Sequence, residues 1–259
     1  LMGLFAYENK FPLIKKNKDN SKELFTPKIL FNYSPNKTKD MKIDDRRIDV
    51  NNIFTFNRIS SADSVEGGES LTLGADYRKR NSSDIEIFGF DLASSFRLRS
   101  DPDLPLSTTL GQKTSDVFGK LFFKPSDNFS FDYDFSLNNK MNTFNFHSFT
   151  NNFKINNFFN TFEYFERSDV AVNQSYYKNT SGFKLNDTNQ IKFETRKNKT
   201  TDLTEYYNLI YEYKNDCLTA SIEYDKTYYT DADIKPEEKL LFKLTIVPFT
   251  SFETTGKVR

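Results

Sequence analysis

Residues 128–137, NFSFDYDFSL, alternate strictly between apolar and polar side chains. Successive side chains of a β-strand point to opposite faces, so a period of two predicts a strand with one aromatic face and one polar face. The predicted aromatic face consists of Phe129, Phe131, Tyr133 and Phe135, followed by Leu137. The predicted polar face consists of Asn128, Ser130, Asp132, Asp134 and Ser136. A sheet built from such strands has to keep its two faces in different surroundings.

The same alternation recurs further along the chain. QIKFETRK places Ile191 and Phe193 opposite Lys192 and Glu194. LLFKLTIVP places four apolar residues on one face, Leu240, Phe242, Leu244 and Ile246. Repeated strands of this kind are typical of a transmembrane β-barrel, which has lipid outside and a wet lumen inside. We therefore predict an all-β, antiparallel transmembrane barrel. The residues predicted to face lipid are Phe129, Phe131, Tyr133 and Phe135, and those predicted to face the lumen are Ser130, Asp132, Asp134, Lys192 and Glu194.

The composition agrees with this interpretation. The 259 residues include 28 Phe and 14 Tyr, yet only 37% of the chain is hydrophobic, which is few aliphatic and many aromatic residues for a soluble protein. No apolar run approaches the ~20 residues that a spanning helix needs, whereas tilted strands of ~9–11 residues can cross a bilayer. The 36 basic residues equal the 36 acidic residues, so no charge signal indicates nucleic acid as a partner.

Fourteen segments are predicted to be strands, and together they would form part of a larger barrel. They are 2–10, 25–34, 52–59, 69–79, 84–99, 115–124, 128–138, 142–151, 156–167, 174–185, 190–199, 204–215, 218–229 and 239–248. KPSD, LNDTN and NDC are tight turns, which barrels place on the periplasmic side, and longer loops alternate with them. Residues 34–49 are too charged for a strand and are expected either at the rim or inside the lumen.

Motifs for catalysis are missing from the sequence. His147 is the single histidine, which argues against a histidine metal cluster or a Ser-His-Asp triad, and no phosphate-binding loop is present. The carboxylates recur at strand spacing beside Lys and Ser, as in a hydrated wall, so we expect neither an enzyme nor a cofactor. Cys217, the single cysteine, lies in the NDC turn, where it is either an incidental thiol or one exposed to an oxidising compartment.

Several segments together resemble one known family. Residues 50–77 carry a strand-and-loop block, residues 103–137 an S-D-x-x-G element before a proline turn, and residues 207–246 a cysteine turn before a D-x-K-P loop. The matching residues are Asn52, Phe54, Arg58, Asp63, Glu66, Gly74 and Tyr77, then Ser115, Asp116, Gly119 and Pro125, then Cys217, Asp233, Lys235 and Pro236. In order and spacing they resemble the C-terminal half of the LPS-assembly outer-membrane protein family, LptD.

This resemblance implies a fold, a function and partners. The chain, 1–259, would be the C-terminal part of a large outer-membrane barrel in a Gram-negative cell, with the N-terminal jelly-roll domain absent from it. The barrel would insert lipopolysaccharide into the outer leaflet through a lateral gate. Its partners would be lipopolysaccharide, outer-membrane lipid, an LptE-like lipoprotein plug and, through the jelly roll, the periplasmic bridge proteins.

The resemblance also implies roles for particular residues. Cys217 would form an interdomain disulfide with the absent periplasmic domain. The strand over 239–248 would close the barrel and form one side of the gate, with Leu240, Phe242, Leu244, Ile246 and Pro248 as its residues. Pro248 has no amide hydrogen, which weakens the ladder at that end.

Two other functions stay open at this point. One is a generic porin or a ligand-gated outer-membrane importer, which a plug domain or a complete short barrel would favour. The other is a soluble, aromatic-rich β-protein that binds carbohydrate, which would not need detergent.

Overall fold

A computed structural model describes residues 2–59, 61, 63–168, 173–228, 236–246 and 250–257. Among these residues the chain is all-β. The strands are β1 Phe5–Lys10, β2 Leu13–Lys16, β3 Lys22–Ser34, β4 Gly68–Arg80, β5 Glu86–Arg97, β6 Val117–Ser126, β7 Phe129–Leu137, β8 Phe144–Ile155, β9 Phe158–Ser168, β10 Asn173–Lys184, β11 Asn189–Asn198, β12 Leu203–Lys214, β13 Leu218–Thr227, β14 Glu238–Ile246 and β15 Thr250–Lys257. No helix in these ranges is long and apolar enough to cross a membrane.

The strands follow one another in sequence order in a single sheet, with β2 paired to β3 beside β1. The order is open, because β1 and β15 are its two ends. Every register defined between neighbouring strands is antiparallel. The predicted fold class is therefore confirmed: the chain is an antiparallel all-β sheet of the kind that a barrel fragment contains.

Unit 1 consists of residues 1–126, 131–149 and 166–173. Its strands β3 and β4 pair from Lys22↔Arg80 to Ser34↔Gly68, so residues 35–67 leave and re-enter the sheet at the same end. A second long connection, residues 98–116, joins β5 to β6. Apolar residues from both connections form a buried core with two residues of the β5–β6 ladder; the core consists of Ile48, Ile53, Ile59, Leu104, Leu110, Ala93 and Phe118. The charged segment 34–49 thus folds back onto the strands.

Unit 2 consists of residues 127–130, 150–165 and 174–259. Short turns join its strands from β10 to β13, and asparagine side chains hold two of them. Asn186 Oδ1 accepts the backbone amide of Thr188, and Asn215 Oδ1 accepts the amides of Cys217 and Leu218. Asn side chains are favoured at such positions because they replace a backbone acceptor. The tight turns predicted around 185–189 and 215–217 are confirmed.

The predicted strand over 52–59 is wrong, because residues 51–59 form turns. Asp49 causes the difference: its carboxylate accepts the backbone amides of Asn51 and Asn52, and its carbonyl accepts the amide of Ile53. Local side-chain bonds of this kind compete with a strand ladder for the same backbone groups. Ile53 is fully buried in the core rather than placed on a sheet face.

Two strands differ from the prediction at the ends of the order. The four exposed residues of β2 show no alternation of burial, and the prediction missed them. The prediction that 239–248 is the last strand is also wrong, because β15 follows β14 and pairs with it from Lys239↔Lys257 to Ile246↔Thr250. Pro248 lies outside the described residues, as do Asp233 and Lys235 of the resembling loop.

Candidate functional site

The β4–β5 ladder of unit 1 has one buried face and one exposed face. Thr72 pairs with Ser95, and both side chains are almost wholly buried at 0% and 1% exposure. The neighbouring pair Leu71↔Phe96 points to the other face, where Phe96 is 39% exposed. This reverses the usual arrangement of a soluble protein, in which polar side chains are exposed and large apolar side chains are buried. The ladder therefore fits surroundings that are apolar on its exposed face.

Strand β7 has the same two faces. On its polar face, Ser136 Oγ donates to Asp116 Oδ2 at 2.6 Å, and Asp134 lies 4.0 Å from Lys120. On its aromatic face, the ring of Phe135 covers Gly119, where a Cβ atom would lie 2.1 Å from the ring. Glycine is required at 119 for this close approach. The alternation predicted for Phe129, Phe131, Tyr133 and Phe135 against Ser130, Asp132 and Asp134 is that of a regular strand, while their contact with lipid or lumen stays a prediction.

In unit 2, Lys192 and Glu194 share the polar face of β11. Lys192 Nζ lies 3.1 Å from Glu212 of β12, and Glu194 is opposite Asn208. The alternate residue Phe193 stacks on the ring of Tyr207 with centroids 5.9 Å apart. Cations and carboxylates on this polar face form cross-strand pairs, while the aromatic residues cover the opposite face. Which of these faces lines a lumen stays a prediction.

A buried ion cluster fastens segment 35–67 to the sheet of unit 1. Arg58 Nε donates to Glu66 Oε2 at 2.7 Å, and Arg58 Nη2 donates to Glu66 Oε1. Arg97, at the end of β5, donates from Nη1 to the same Glu66 carboxylate and from Nη2 to the carbonyl of Gly67. Buried charges are stable only when they are paired and hydrogen-bonded in this way. The cluster ties a loop residue, the loop's end and a strand together.

Hydroxyl groups of the strands complete the coordination of Arg58. Its Nη1 donates to Thr72 at 3.0 Å and Ser95 at 2.7 Å, and its Nη2 donates to Ser70 at 2.7 Å. These small polar residues lie on the buried face of β4 and β5, so the sheet itself provides the acceptors. The resemblance in sequence marked Arg58 and Glu66, but it did not mark Arg97 or the hydroxyls.

A second ion pair holds the same segment nearer its beginning. Arg167 of β9 binds the Asp45 carboxylate through both terminal nitrogens, at 2.5 and 3.2 Å. Hydrogen bonds from Arg167 hold the pKa of Asp45 below its usual 3.8, although partial burial acts in the opposite direction. Arg46 Nε adds a bond of 2.7 Å to the carbonyl of Arg58. The segment is thereby held at both its beginning and its end.

Comparison with known families decides what this arrangement belongs to. The sequence model described as LptD: LPS transport system D matches residues 13–197, well over half of the chain. The chain belongs to the LptD family. No curated protein matches it. LptD proteins are non-enzymatic transport proteins that carry lipopolysaccharide to the outer membrane, where they reside, so the resemblance seen in sequence and the expectation of no enzymatic activity are confirmed.

The LptD match covers the ion cluster and the faces of β4, β5 and β7 described above. Arg58, Glu66, Arg97 and Asp116 lie inside the matched range, as does all of β7. Cys217 and strands β12 to β15 lie beyond its end at residue 197. The parts of the chain with the clearest family relationship are therefore unit 1 and the first strands of unit 2.

Cys217 is a free, exposed cysteine in the turn between β12 and β13. As the single cysteine of the chain it has no partner within it, so the expected disulfide has no support here. Its bond to a cysteine of another LptD domain stays a prediction.

The residues predicted for the lateral gate lie on β14. Leu240, Phe242 and Leu244 share one face, with Ile246 at the end of the strand, and Phe242 is 39% exposed. β14 pairs with β13 on one side and with β15 on the other, so within the described ranges both of its edges are occupied. The role of this strand in a gate stays a prediction.

Proposed function

We propose that this LptD chain forms part of a barrel wall through which lipopolysaccharide is inserted into the outer leaflet of the outer membrane. The observation that carries the proposal is the two-faced character of the family-matched strands. Large apolar side chains such as Phe96 and Phe193 are exposed on one face, and paired polar side chains lie on the other. On β4 and β5 that polar face is covered by segment 35–67, whereas Lys192 on β11 keeps 23% of its side chain exposed. Such a wall offers water-compatible contacts to a saccharide on one face and apolar contacts to lipid on the other.

The wider assembly is part of the same proposal. Residues 1–259 form the C-terminal part of the barrel domain, and a jelly-roll domain outside this sequence receives lipid from periplasmic bridge proteins. An LptE-like lipoprotein occupies the lumen. The support is membership in the LptD family together with the open strand order, since β1 and β15 are its ends.

The lateral gate is proposed at the β15 end of this strand order. β15 pairs with β14 and with no other strand of the described ranges, so its second edge is available to a strand from the rest of the barrel. Leu240, Phe242, Leu244 and Ile246 then lie one strand behind the seam and provide an apolar surface beside it. Pro248, which follows β14 in the sequence, is proposed as a further gate residue because it has no amide hydrogen for a strand ladder.

Photocrosslinking in cells tests the transport function. A photoreactive amino acid replaces Lys192 on the polar face or Phe193 on the apolar face of the full-length protein. We expect lipopolysaccharide adducts at position 192 and phospholipid adducts at position 193, because adjacent residues of a strand point to opposite faces. Phospholipid adducts at both positions, with none to lipopolysaccharide, would overturn the proposed function.

Disulfide locking tests the gate separately. A cysteine on β15 joined to one on the neighbouring strand of the intact barrel should stop transport on oxidation and restore it on reduction. The matched control joins Thr245 to Ser251, which are opposite each other within the β14–β15 ladder. Transport that continues with the seam crosslink fully formed would place the gate elsewhere.

A further inference from the structure

Unit 1 contains a cleft of about 610 Å³ whose lining residues come from separate parts of the chain. Segment 98–116 contributes Leu104, Thr108 and Gln112, and the strands contribute Ser136 and Asn145. Clefts of ~300–1,000 Å³ that combine apolar walls with a few fixed polar groups are typical of small-ligand sites. Arg58, Glu66 and Arg97 do not line this cleft, although its lining residue Asp101 lies 3.7 Å from Arg97.

Asp116 is the most deeply buried charged residue that lines the cleft, with only 4% of its surface exposed. Its Oδ2 accepts hydrogen bonds from Ser136 Oγ at 2.6 Å and Asn145 Nδ2 at 2.8 Å, and its backbone amide donates to Thr109 Oγ1 at 2.8 Å. No described residue donates to Oδ1, and this oxygen is not sealed off from solvent. One carboxylate oxygen is therefore fixed in place and open to a donor from solvent or a ligand.

Arg47 gives the cleft a partly exposed cation that interacts with the charges of Asp49 and Asp134 but forms no short ion pair among the described residues. Its guanidinium lies over the ring of Phe146, 3.9 Å from the centroid, and its nearest carboxylate, Asp49, is 4.0 Å away. Arg167 also lines the cleft, but both of its terminal nitrogens are occupied by Asp45. Arginine stacked on an aromatic ring keeps its in-plane N–H groups free for an oxyanion. Arg47 is thus the group that an anionic ligand would meet.

Asp116, Arg47 and the apolar walls together determine which kind of ligand the cleft can bind. A carboxylate with a free oxygen binds a hydroxyl donor and repels an anion, whereas the guanidinium binds a phosphate or a carboxylate. Leu104, Pro105 and Phe118 supply apolar surface beside them. A ligand that fits has hydroxyl groups, an apolar C–H surface and one acidic group, and a saccharide that carries phosphate or carboxylate has all three.

We propose that this cleft binds an acidic saccharide, with a hydroxyl on Asp116 and the acidic group on Arg47. The proposal rests on the proposed function, because the phosphorylated saccharide of lipopolysaccharide is then the ligand that meets the wall. The cleft serves as a specific contact point for the sugar part of the transported molecule, independent of its acyl chains.

Binding to the purified full-length protein in detergent tests this site. The probes are a fluorescent, lipid-free phosphorylated oligosaccharide released from lipopolysaccharide, the same oligosaccharide after dephosphorylation, a neutral glucan of equal length, and whole lipopolysaccharide. We expect the phosphorylated oligosaccharide to bind at least about ten-fold more tightly than the neutral glucan, and more tightly than the dephosphorylated oligosaccharide. Equal binding of the phosphorylated and neutral probes would overturn the proposal, and so would binding of whole lipopolysaccharide alone.

Variants assign the two groups. Arg47→Gln should remove the preference for phosphate, Arg47→Lys should retain part of it, and Asp116→Asn should weaken phosphorylated and dephosphorylated probes alike. Arg99→Gln, an exposed arginine outside the cleft, is the matched control and should bind like wild type. A phosphate preference that survives Arg47→Gln contradicts the site.

The crosslinking experiment distinguishes failure of the cleft from failure of the transport function. If cleft binding is lost but position 192 still forms lipopolysaccharide adducts, only the cleft proposal fails. If cleft binding is intact but no adducts form, the transport function is overturned instead.

Discussion

Arg58 and Glu66, eight residues apart in the chain, form a two-point ion pair whose side chains are 0% and 2% exposed. The guanidinium continues to hydroxyls on β4 and β5, and the carboxylate is shared with Arg97. Segment 35–67 is thus fastened by charges that water does not reach. The position of segment 35–67 therefore depends on these charges as well as on its apolar core residues.

Removing one partner of the buried pair should detach the segment. Arg58→Met leaves the Glu66 carboxylate with Arg97 alone, and loss of one partner from a buried pair costs on the order of 3–5 kcal/mol. We expect a value near the lower end, because Arg97 remains. Unfolding in detergent and trypsin cleavage within residues 35–67 measure the two effects. Arg99→Met, which removes an exposed arginine, is the control and should change neither; unchanged cleavage in Arg58→Met would show that the core alone holds the segment.

The orientation of β7 gives a second prediction. Phe131→Arg places a charge on the aromatic face, which costs roughly 2–4 kcal/mol if that face contacts lipid near the midplane, whereas Asp132→Arg keeps the charge on the polar face. Phe131→Arg should therefore lower the yield of assembled barrel far more than Asp132→Arg does. Heat-modifiable mobility on gels measures assembly. Equal yields from these neighbouring variants would refute the assignment of lipid and lumen faces.

Alternation in the sequence predicts most of the strands and their alternating faces. In β7 and β11 apolar and polar side chains alternate, and successive side chains of a strand point to opposite faces of the sheet. The same signal failed at 52–59, where Ile53 and Phe54 imitate a strand but Asp49 captures the backbone amides in turns. It also missed β15, because TSFETTGK contains one aromatic residue and no apolar alternation.

The ion cluster and the cleft were beyond the reach of sequence patterns. Resemblance marked Arg58 and Glu66, yet Arg97 ends β5 within the stretch FRLRS, which has nothing to distinguish it from an exposed strand end. In the cleft, the resemblance marked Asp116 but not Arg47; the two residues are 69 positions apart by their numbers and line the same cleft only because two long connections fold onto the same strands. Contacts between distant segments are set by tertiary packing, which no local period encodes.

The Asp45–Arg167 pair predicts a pH dependence. The pKa of Asp45 in the folded chain is lower than its ordinary value of 3.8, so the pair contributes stability that is fully present above pH 3.8 and is lost as the pH falls through the folded-state pKa. The effect should be modest, because Asp45 is 57% exposed and solvent screens the pair. Amide hydrogen-exchange protection around residues 41–46, corrected for intrinsic rates, should fall in that acidic window. Asp45→Asn should show low protection throughout, and a wild-type profile in that variant would exclude the pair as the cause.

The last prediction concerns Cys217, which we expect to bond to a cysteine in a periplasmic domain outside this sequence. Its thiol is exposed in a short turn, and short turns of outer-membrane barrels lie on the periplasmic side, where free thiols tend to be oxidised. In the chain-entropy account, closing a loop of a hundred or more residues contributes on the order of 4–5 kcal/mol.

The functional effect of this bond should exceed its effect on stability, because a tethered domain stays in line with the barrel and can deliver lipid continuously. Non-reducing gels of the full-length protein should show a mobility shift that Cys217→Ser abolishes. Asp216→Ser, at the neighbouring position of the same turn, is the matched control and should keep the shift. Free alkylation of the wild-type thiol in cells would reduce Cys217 to an ordinary turn residue.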